Sequence, residues 1–388
     1  MAINTTAVIA VSFILFFSAG AAFILTSESK EVGDPVVSVL AAANFNGSGI
    51  YCNEDLDIND PEGWGGKVFM TPGPGSIQHE MLKTLAFNLG FYFALDGPAK
   101  NRSTIYWTIV TPGQQSDQYA KGYVDGGIAW EPAFSTILGT YAPGNPSGIV
   151  AYNVAISKDI EDGHPCCMIV AKNTFIDAHP ELIVKFLLAY MESVEWVNEA
   201  KDVSSPNHET LIQQSWEIAF GGSGAVPDDK RPMIENALRD INFDYEIDGL
   251  RDYVASLITR FENSGSIIYH ISDTGAYAEK LVNYDILGDI VLNRTELTDQ
   301  YKGSTMSSTP IRLGVLANDL HQIAVRLAMV PGIADTGSDS FFEMYGVSIA
   351  METPVAAGGA VMGLFASNAI DIGVLGLPPT VIRSVNGL

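Results

Sequence analysis

The chain has 388 residues, 47% of them hydrophobic and 17% charged, with a formal net charge of -24 at pH 7. That is enough for two lobes around buried cores, and it excludes a disordered chain. The acidic excess repels a nucleic-acid backbone or an anionic lipid surface, so neither is expected as a partner. An anionic small ligand stays open, because a pocket can present local backbone N–H groups whatever the global charge.

Residues 7–25 carry no charge and include Ile9, Val11, Phe13, Ile14, Leu15, Phe16 and Phe17. A run of that length just spans a bilayer's hydrocarbon core. Ala19-Gly20-Ala21 also suits a signal peptidase, and no Lys or Arg precedes the run. An uncleaved anchor is the first expectation, a cleaved signal the second and a buried helix the third. Either of the first two places the rest of the chain outside the cytoplasm. The cysteines are Cys52, Cys166 and Cys167. An odd count with an adjacent pair is no disulfide framework, so buried free thiols are expected over a bridge from Cys52 to one of the pair.

Strands then alternate with helices, which defines an α/β chain. Val36–Leu40 reads as a buried strand and Lys67–Met70 as another. The second runs into Thr71-Pro72-Gly73-Pro74-Gly75-Ser76, then a helix with Ile77, Met81, Leu82, Leu85 and Leu89 on one face, stopped by Gly90. Ile105–Val110 is the next strand, followed by Thr111-Pro112, a short helix to Tyr123, and Gly127-Ile128-Ala129-Trp130. A strong amphipathic helix is expected from Asp177 as N-cap, with Ile183, Phe186, Leu187, Tyr190, Met191 and Val194 at helical spacing. Residues 205–285 read as further helices. Leu297–Pro310 is polar, rich in Ser and Thr and without periodicity, a linker signature. The strand Ile311–Leu316 then opens a new α/β run to Leu388. Thr111-Pro112 and Thr353-Pro354 each lead through a helix to an Asp-containing short strand (Asp125, Asp371) and a Pro-containing loop. Two similar facing lobes would produce that echo; chance is the alternative.

Several phrases resemble the solute-binding proteins of the nitrate/sulfonate/taurine class of ABC importers. They are IRLGVLANDLHQIAV (311–325), FFEMYGVSI (341–349), NAIDIGVLGLPPTVI (368–382), VVSVLAAANFNGSGIYC (36–52), GGKVFMTPGPGSIQHEML (65–82), DGGIAWEPAFS (125–135) and GHPCCMIVAKNTFIDAHPELIVKFL (163–187). Together they cover nearly everything outside the hydrophobic run and the linker. Their order departs from the family, because the opening portion sits last, at 310–388, and its expected continuation lies near 34–43. A circular permutation accounts for this; a fragment of a tandem array and a misassembled reading frame are the alternatives. The resemblance implies a two-lobed type II periplasmic-binding-protein fold, circularly permuted, with an N-terminal membrane segment. One lobe would take 31–63, 169–296 and 310–388 and the other 64–168, with 1–30 as signal or anchor and 297–309 as linker.

Ligands in open α/β sheets sit outside the carboxyl ends of strands, where loops meet helix starts. Five loops satisfy that rule. In the first, Gly73 and Gly75 let the backbone approach a ligand and Ser76 and Gln78 add donors; the bland reading is a tight turn with Ser76 as N-cap. In the second, Asn318 and His321 could orient a ligand, or the histidine merely caps. Gly358 and Gly359 form the third, a second helix-start cradle. Leu377, Pro378 and Thr380 form the fourth, or a rigid Pro loop ending a strand. In the fifth, the Trp130 indole could wall the ligand and Glu131 accept from an amine, or Glu131 pins a helix start. Asn44, near the expected hinge, is a weaker candidate. None of these loops contains Lys or Arg, so an anion would rely on backbone N–H groups and hydroxyls, and a neutral or cationic solute fits equally.

His164-Pro165-Cys166-Cys167 invites a metal reading, but four ligands at a sensible spacing are absent and adjacent cysteines chelate one ion poorly. No metal or cofactor is expected there; the segment is read as a strand crossing back between lobes. The functional expectation is therefore a non-catalytic protein that hands a small polar or anionic solute, sulfonate/nitrate/taurine-like or pyrimidine-like, to membrane permease and ATPase subunits. No G-x-x-x-x-G-K-[ST] motif occurs in the chain. The alternative is an enzyme on the same fold acting on a pyrimidine- or quinone-precursor-like molecule, with His321, His164 and the cysteines as reactive groups.

Overall fold

The computed structural model describes residues 32–333 and 337–387. The hydrophobic run at 7–25 and its expected anchor or signal role lie outside the described residues. Among the described residues, no helix is long and apolar enough to cross a membrane.

The strands are β1 (Val37–Ala42), β2 (Phe45–Asn46), β3 (Ser48–Cys52), β4 (Val68–Thr71), β5 (Tyr92–Leu95), β6 (Thr104–Ile109), β7 (Gly126–Trp130), β8 (Tyr152–Ile156), β9 (Cys167–Lys172), β10 (Ile241–Asn242), β11 (Ile311–Gly314), β12 (Ile349–Met351) and β13 (Ile372–Gly376). They form a five-stranded sheet in the order β1-β9-β13-β11-β12, a six-stranded sheet in the order β5-β6-β4-β7-β3-β8, and the short pair β10-β2. In the first, β11 runs parallel to β12 and β13, while β9 is antiparallel to β13 and β1. In the second, β4, β5, β6 and β7 are parallel and β3 is antiparallel to β7 and β8. Strands such as β1 and β4 are buried at every residue, as expected of sheets covered on both faces by helices.

The C-terminal run is part of the five-stranded sheet. β13 pairs with β9 over five residue pairs, Ile372 with Ala171 through Gly376 with Cys167. Arg312 secures the seam: its backbone N–H and Nε donate to Asp371 Oδ2 at 3.0 and 2.9 Å, and its Nη2 donates to Asp371 Oδ1 at 2.5 Å. The helix Leu377–Val385 follows β13, and Asn386 beyond it accepts from the Ile268 N–H and donates to the Ser266 carbonyl.

Three expectations need correction. Residues 31–63 do not stay in one lobe, because β3 pairs with β7 and β8 in the six-stranded sheet. The chain therefore crosses between sheets at Ala43–Gly47, and crosses back between β8 and β9. The long helix starts at Pro180, with His179 as its cap, and runs to Ala200; Asp177 belongs to a separate short helix, Asn173–Ala178. Proline, with φ fixed and no N–H to satisfy, sets that start. The segment 297–309 is not all linker. Arg294–Tyr301 is helical, with Leu297 and Tyr301 packed against the core and Lys302 paired to Glu192 at 3.0 Å, so tertiary contacts supply what the polar sequence hides.

Candidate functional site

A cavity of about 410 Å³ lies where the carboxyl ends of the parallel strands of both sheets face each other, within the range of small-molecule sites. The six-stranded sheet contributes Pro72–Gln78 after β4 and Trp130 at the end of β7. The five-stranded sheet contributes Leu316, Asp319 and His321 after β11, Ala357–Gly359, and Gly376 with Pro378 and Pro379 after β13. Cys166 and Cys167, at the return crossing, form part of the lining.

The first loop has the backbone geometry of a strand-to-helix turn bordering the cavity. Gly73 and Gly75 have φ of +108° and +91°, a backbone region that favours glycine. Ser76 caps the helix Ile77–Asn88: its hydroxyl accepts from the His79 N–H at 3.2 Å and donates to the Gly73 carbonyl at 2.9 Å. The Ser76 N–H is taken by Gly73 O as well. Capping therefore occupies the Ser76 side chain, while the first-turn N–H groups of Ile77 and Gln78, residues that line the cavity, have no partner within the helix. The Gln78 amide is itself engaged, donating to Ser48 Oγ at 3.0 Å.

The third loop repeats the arrangement. In the helix Gly358–Ala366 the Ala360 N–H turns back to Ala357 O, and no side chain caps the start. The N–H groups of Gly358 and Gly359 thus stand without an intrahelical partner, at the positive end of the helix dipole. The fourth loop differs chemically. The Leu377 N–H donates to Cys166 O at 2.8 Å, and Pro378 and Pro379 have none to give. That helix start is an apolar wall.

The loop after β4 and the helix Leu377–Val385 face each other across the cavity. A Cβ at Gly75 would stand 2.9 Å from Ile382 Cδ1 in the last helix. Arg383, exposed at the rim, adds a cation that the five-loop rule overlooked because it lies one helical turn past the loop.

Five expected residues do not face the cavity. Glu131 is fully buried, and its carboxylate accepts from the Ser135 N–H at 3.0 Å and hydroxyl at 2.8 Å. It pins the start of the helix Ala133–Thr140, and burial pushes its pKa up to about 7. Asn318 is exposed, at φ +51°, outside the lining. Leu377 and Thr380 are buried, the Thr380 hydroxyl donating to Gly376 O at 3.0 Å. Asn44 stitches the crossing segments together: its side chain donates to Asn46 O and accepts from the Cys167 N–H.

At the cavity floor a buried cluster joins the second loop to the return crossing. His321 Nε2 donates to the Gly47 carbonyl at 2.7 Å, so Nδ1 faces Cys166 Sγ at 3.4 Å and Asp319 Oδ1 at 3.6 Å. Cys167 Sγ lies 3.9 Å from Asp319 Oδ2. Cys52, Cys166 and Cys167 are buried free thiols. Burial, the largest influence on the imidazole, lowers its pKa, yet the Cys166 and Asp319 charges together raise it to about 9. The Cys166 thiol is drawn well below its ordinary range by the hydrogen bond from Cys167 and by the His321 charge, while Cys167 is pushed up by the same bond and by burial. Asp319 is raised by burial to about 6. His321 and Cys166 are separated by 155 positions, so no local spacing could reveal the pair.

No family model matches the sequence, and no curated protein matches it. Solved structures do. The periplasmic nitrate-binding protein NrtA from Synechocystis matches with a TM-score of 0.51 at 17% identity, over 69% of this chain and 70% of that one. The ligand-binding component of an ABC-type import system from Staphylococcus aureus, with zinc bound, matches with a TM-score of 0.43 at 13% identity, over 66% and 74%. The alkanesulfonate-binding protein SsuA from Xanthomonas axonopodis, bound to MOPS, matches with a TM-score of 0.43 at 13% identity, over 64% and 74%. The chain has the α/β fold of the periplasmic ligand-binding proteins of ABC importers, as the nitrate-binding structure displays it.

Proposed function

We propose that the protein is the extracytoplasmic solute-binding component of an ABC importer, and that it delivers a small polar or anionic solute to permease and ATPase subunits without chemically changing it. One observation carries this reading. The 410 Å³ cavity between the two sheets is met by two helix starts whose first-turn N–H groups, on Ile77 and Gln78 and on Gly358 and Gly359, have no partner within their helices. Such donors suit the oxygens of a sulfonate, nitrate, taurine-like or pyrimidine-like solute, with Trp130 and Pro378 as apolar walls and Arg383 at the rim.

The reading includes a circular permutation and attachment or export through residues 7–25. What supports the permutation is the sheet order, in which strands from 311–376 sit beside β9 and β1 in one sheet. The two lobes are then the five-stranded and six-stranded sheets with their helices, closing on the solute by hinge motion at the two crossings.

A thermal-shift screen of sulfonates, nitrate, amino acids and pyrimidines against the protein tests the proposal, with each hit recovered and weighed by mass spectrometry. A stabilising solute returned unchanged supports transport. A hit returned with altered mass supports an enzyme on this fold, and a flat response across the panel defeats the reading.

A further inference from the structure

Folding assembles at the cavity floor a donor set that the linear sequence keeps apart. The ligand atoms of Cys166, Cys167 and His321 all lie within 4.8 Å of one another, and all three residues are buried. Ideal tetrahedral zinc bonds place sulfur and imidazole nitrogen about 3.5–3.8 Å apart, and Cys166 Sγ stands 3.4 Å from His321 Nδ1. Adjacent residues in a regular strand point to opposite faces, which is why two neighbouring cysteines make a poor chelate in general. Here Cys166 lies outside the strand, between the isolated bridge of Pro165 with Phe45 and the first residue of β9. The alternation is broken there, and the two sulfurs converge.

The ring is held for ligation. Because the Gly47 carbonyl can only accept, Nε2 keeps its proton and Nδ1 faces the sulfurs, so an ion that displaces the Nδ1 proton finds the outer-shell arrangement typical of a metal-binding histidine. Asp319 is fixed beside the set by the His321 N–H at 3.0 Å and the Gln322 amide at 3.2 Å, and it adds negative charge. Two sulfurs and one imidazole select a soft or borderline ion over magnesium or calcium. All three ligating residues also line the cavity, so a tetrahedral ion bound by them keeps one position open to it, as in sites that bind a further small ligand.

We propose that the cleft floor binds one thiophilic divalent cation of the zinc class through Cys166 Sγ, Cys167 Sγ and His321 Nδ1, with its fourth position facing the cavity. A donor atom of the solute, or water, completes the tetrahedron. The occupant of that fourth position rests on the solute-binding reading; the three-residue site does not.

The test is cobalt titration of the full chain, reduced and stripped with a chelator, in the absence of solute. One equivalent of Co²⁺ is expected to bind with sulfur-to-cobalt charge-transfer absorption and intense tetrahedral visible bands, and to be displaced by Zn²⁺. Cys166→Ser and Cys167→Ser should each lose about half of the charge-transfer intensity and bind at least about tenfold more weakly, while Cys52→Ser binds as the parent does. A weak octahedral spectrum without charge transfer, or an unchanged spectrum in the Cys166→Ser/Cys167→Ser protein, overturns the proposal. Should the serine variants not fold, alkylation of the parent protein decides. Zn²⁺ must slow labelling of Cys166 and Cys167, located by mass spectrometry, and equal labelling with and without Zn²⁺ overturns it. Solute binding is scored on metal-stripped protein by thermal shift, so either reading can fail alone.

Discussion

His321 Nε2 lies 2.7 Å from the carbonyl oxygen of Gly47, a hydrogen bond between residues 274 positions apart. It ties the loop after β11 to the outward crossing between the sheets. Gly47 itself has φ +83°, and a Cβ there would stand 2.5 Å from His321 Nε2 and 2.6 Å from Ile241 Cγ1. Gly47→Ala is expected to cost about 2–4 kcal/mol, from left-handed strain together with the displaced imidazole. Urea denaturation of the two proteins measures it; equal midpoints would show that the crossing yields freely.

Gly75 faces Ile382 so closely that a Cβ would stand 2.9 Å from its Cδ1, and on the proposed clamshell reading this approach limits closure. Gly75→Asn places a side chain where only a hydrogen fits, using a residue that tolerates positive φ. Solute affinity should fall about tenfold, equivalent to about 1.4 kcal/mol, with a much smaller change in melting temperature. Adding Ile382→Ala should restore most of the affinity. If the double variant binds as poorly as the single one, the obstruction is not between the lobes.

Arg312 and Asp371 bind the C-terminal run to the rest of its sheet. Asp371 is only 5% exposed, so Asp371→Ala leaves the Arg312 backbone N–H, Nε and Nη2 without their acceptor and only the Nη1 bond to the Asn368 carbonyl in place. A loss of about 1–3 kcal/mol is expected, since the half-exposed guanidinium can turn to water. Unfolding should remain a single transition when followed by both tryptophan fluorescence and far-ultraviolet circular dichroism. Two separated transitions would mean that residues 310–387 fold as their own body.

Much of this framework was legible in sequence. Runs such as Val36–Leu40 and Lys67–Met70, uniformly apolar and bounded by turn residues, became β1 and β4 within two residues of the expected bounds. The Gly73–Gln78 loop was legible because glycine and serine before an amphipathic helix state their own geometry. Glu131 was ambiguous, since its chemistry fits a ligand amine as well as a helix start, and only the Ser135 contacts decide between them. The Cys166–His321 pair was invisible, because its closeness is a property of the sheet order and not of any window along the chain. The helix Arg294–Tyr301 was hidden for a related reason: its support comes from distant side chains such as Glu192.

Two buried groups give stability opposite pH dependences. Burial lowers the His79 pKa from 6.5 to about 4, so the ring is neutral in the fold. Its contribution is fully present above pH 6.5 and is lost as pH falls toward 4, by roughly 3 kcal/mol. Burial raises Glu131 from 4.5 to about 7. Its contribution is fully present below pH 4.5 and is lost as pH rises through 7, again by roughly 3 kcal/mol. Glu131→Gln should therefore be more stable than the parent at pH 8 and gain nothing at pH 4, while His79→Gln should flatten the acid limb alone. Guanidinium denaturation across that range checks both; parallel curves for parent and variants would contradict the burial argument.

The central claim is that backbone N–H groups at the helix starts hold the solute in the cleft. Gly359 isolates that claim, because a Cβ there meets nothing within 4 Å and the residue lies in the first helical turn, where proline is accepted. Gly359→Ala keeps the N–H and Gly359→Pro removes it. Isothermal titration with the best solute from the screen should give parental affinity for the alanine protein. For the proline protein it should give a loss of about tenfold or more, the worth of one hydrogen bond to a charged group. Equal affinity in all three proteins would contradict the account.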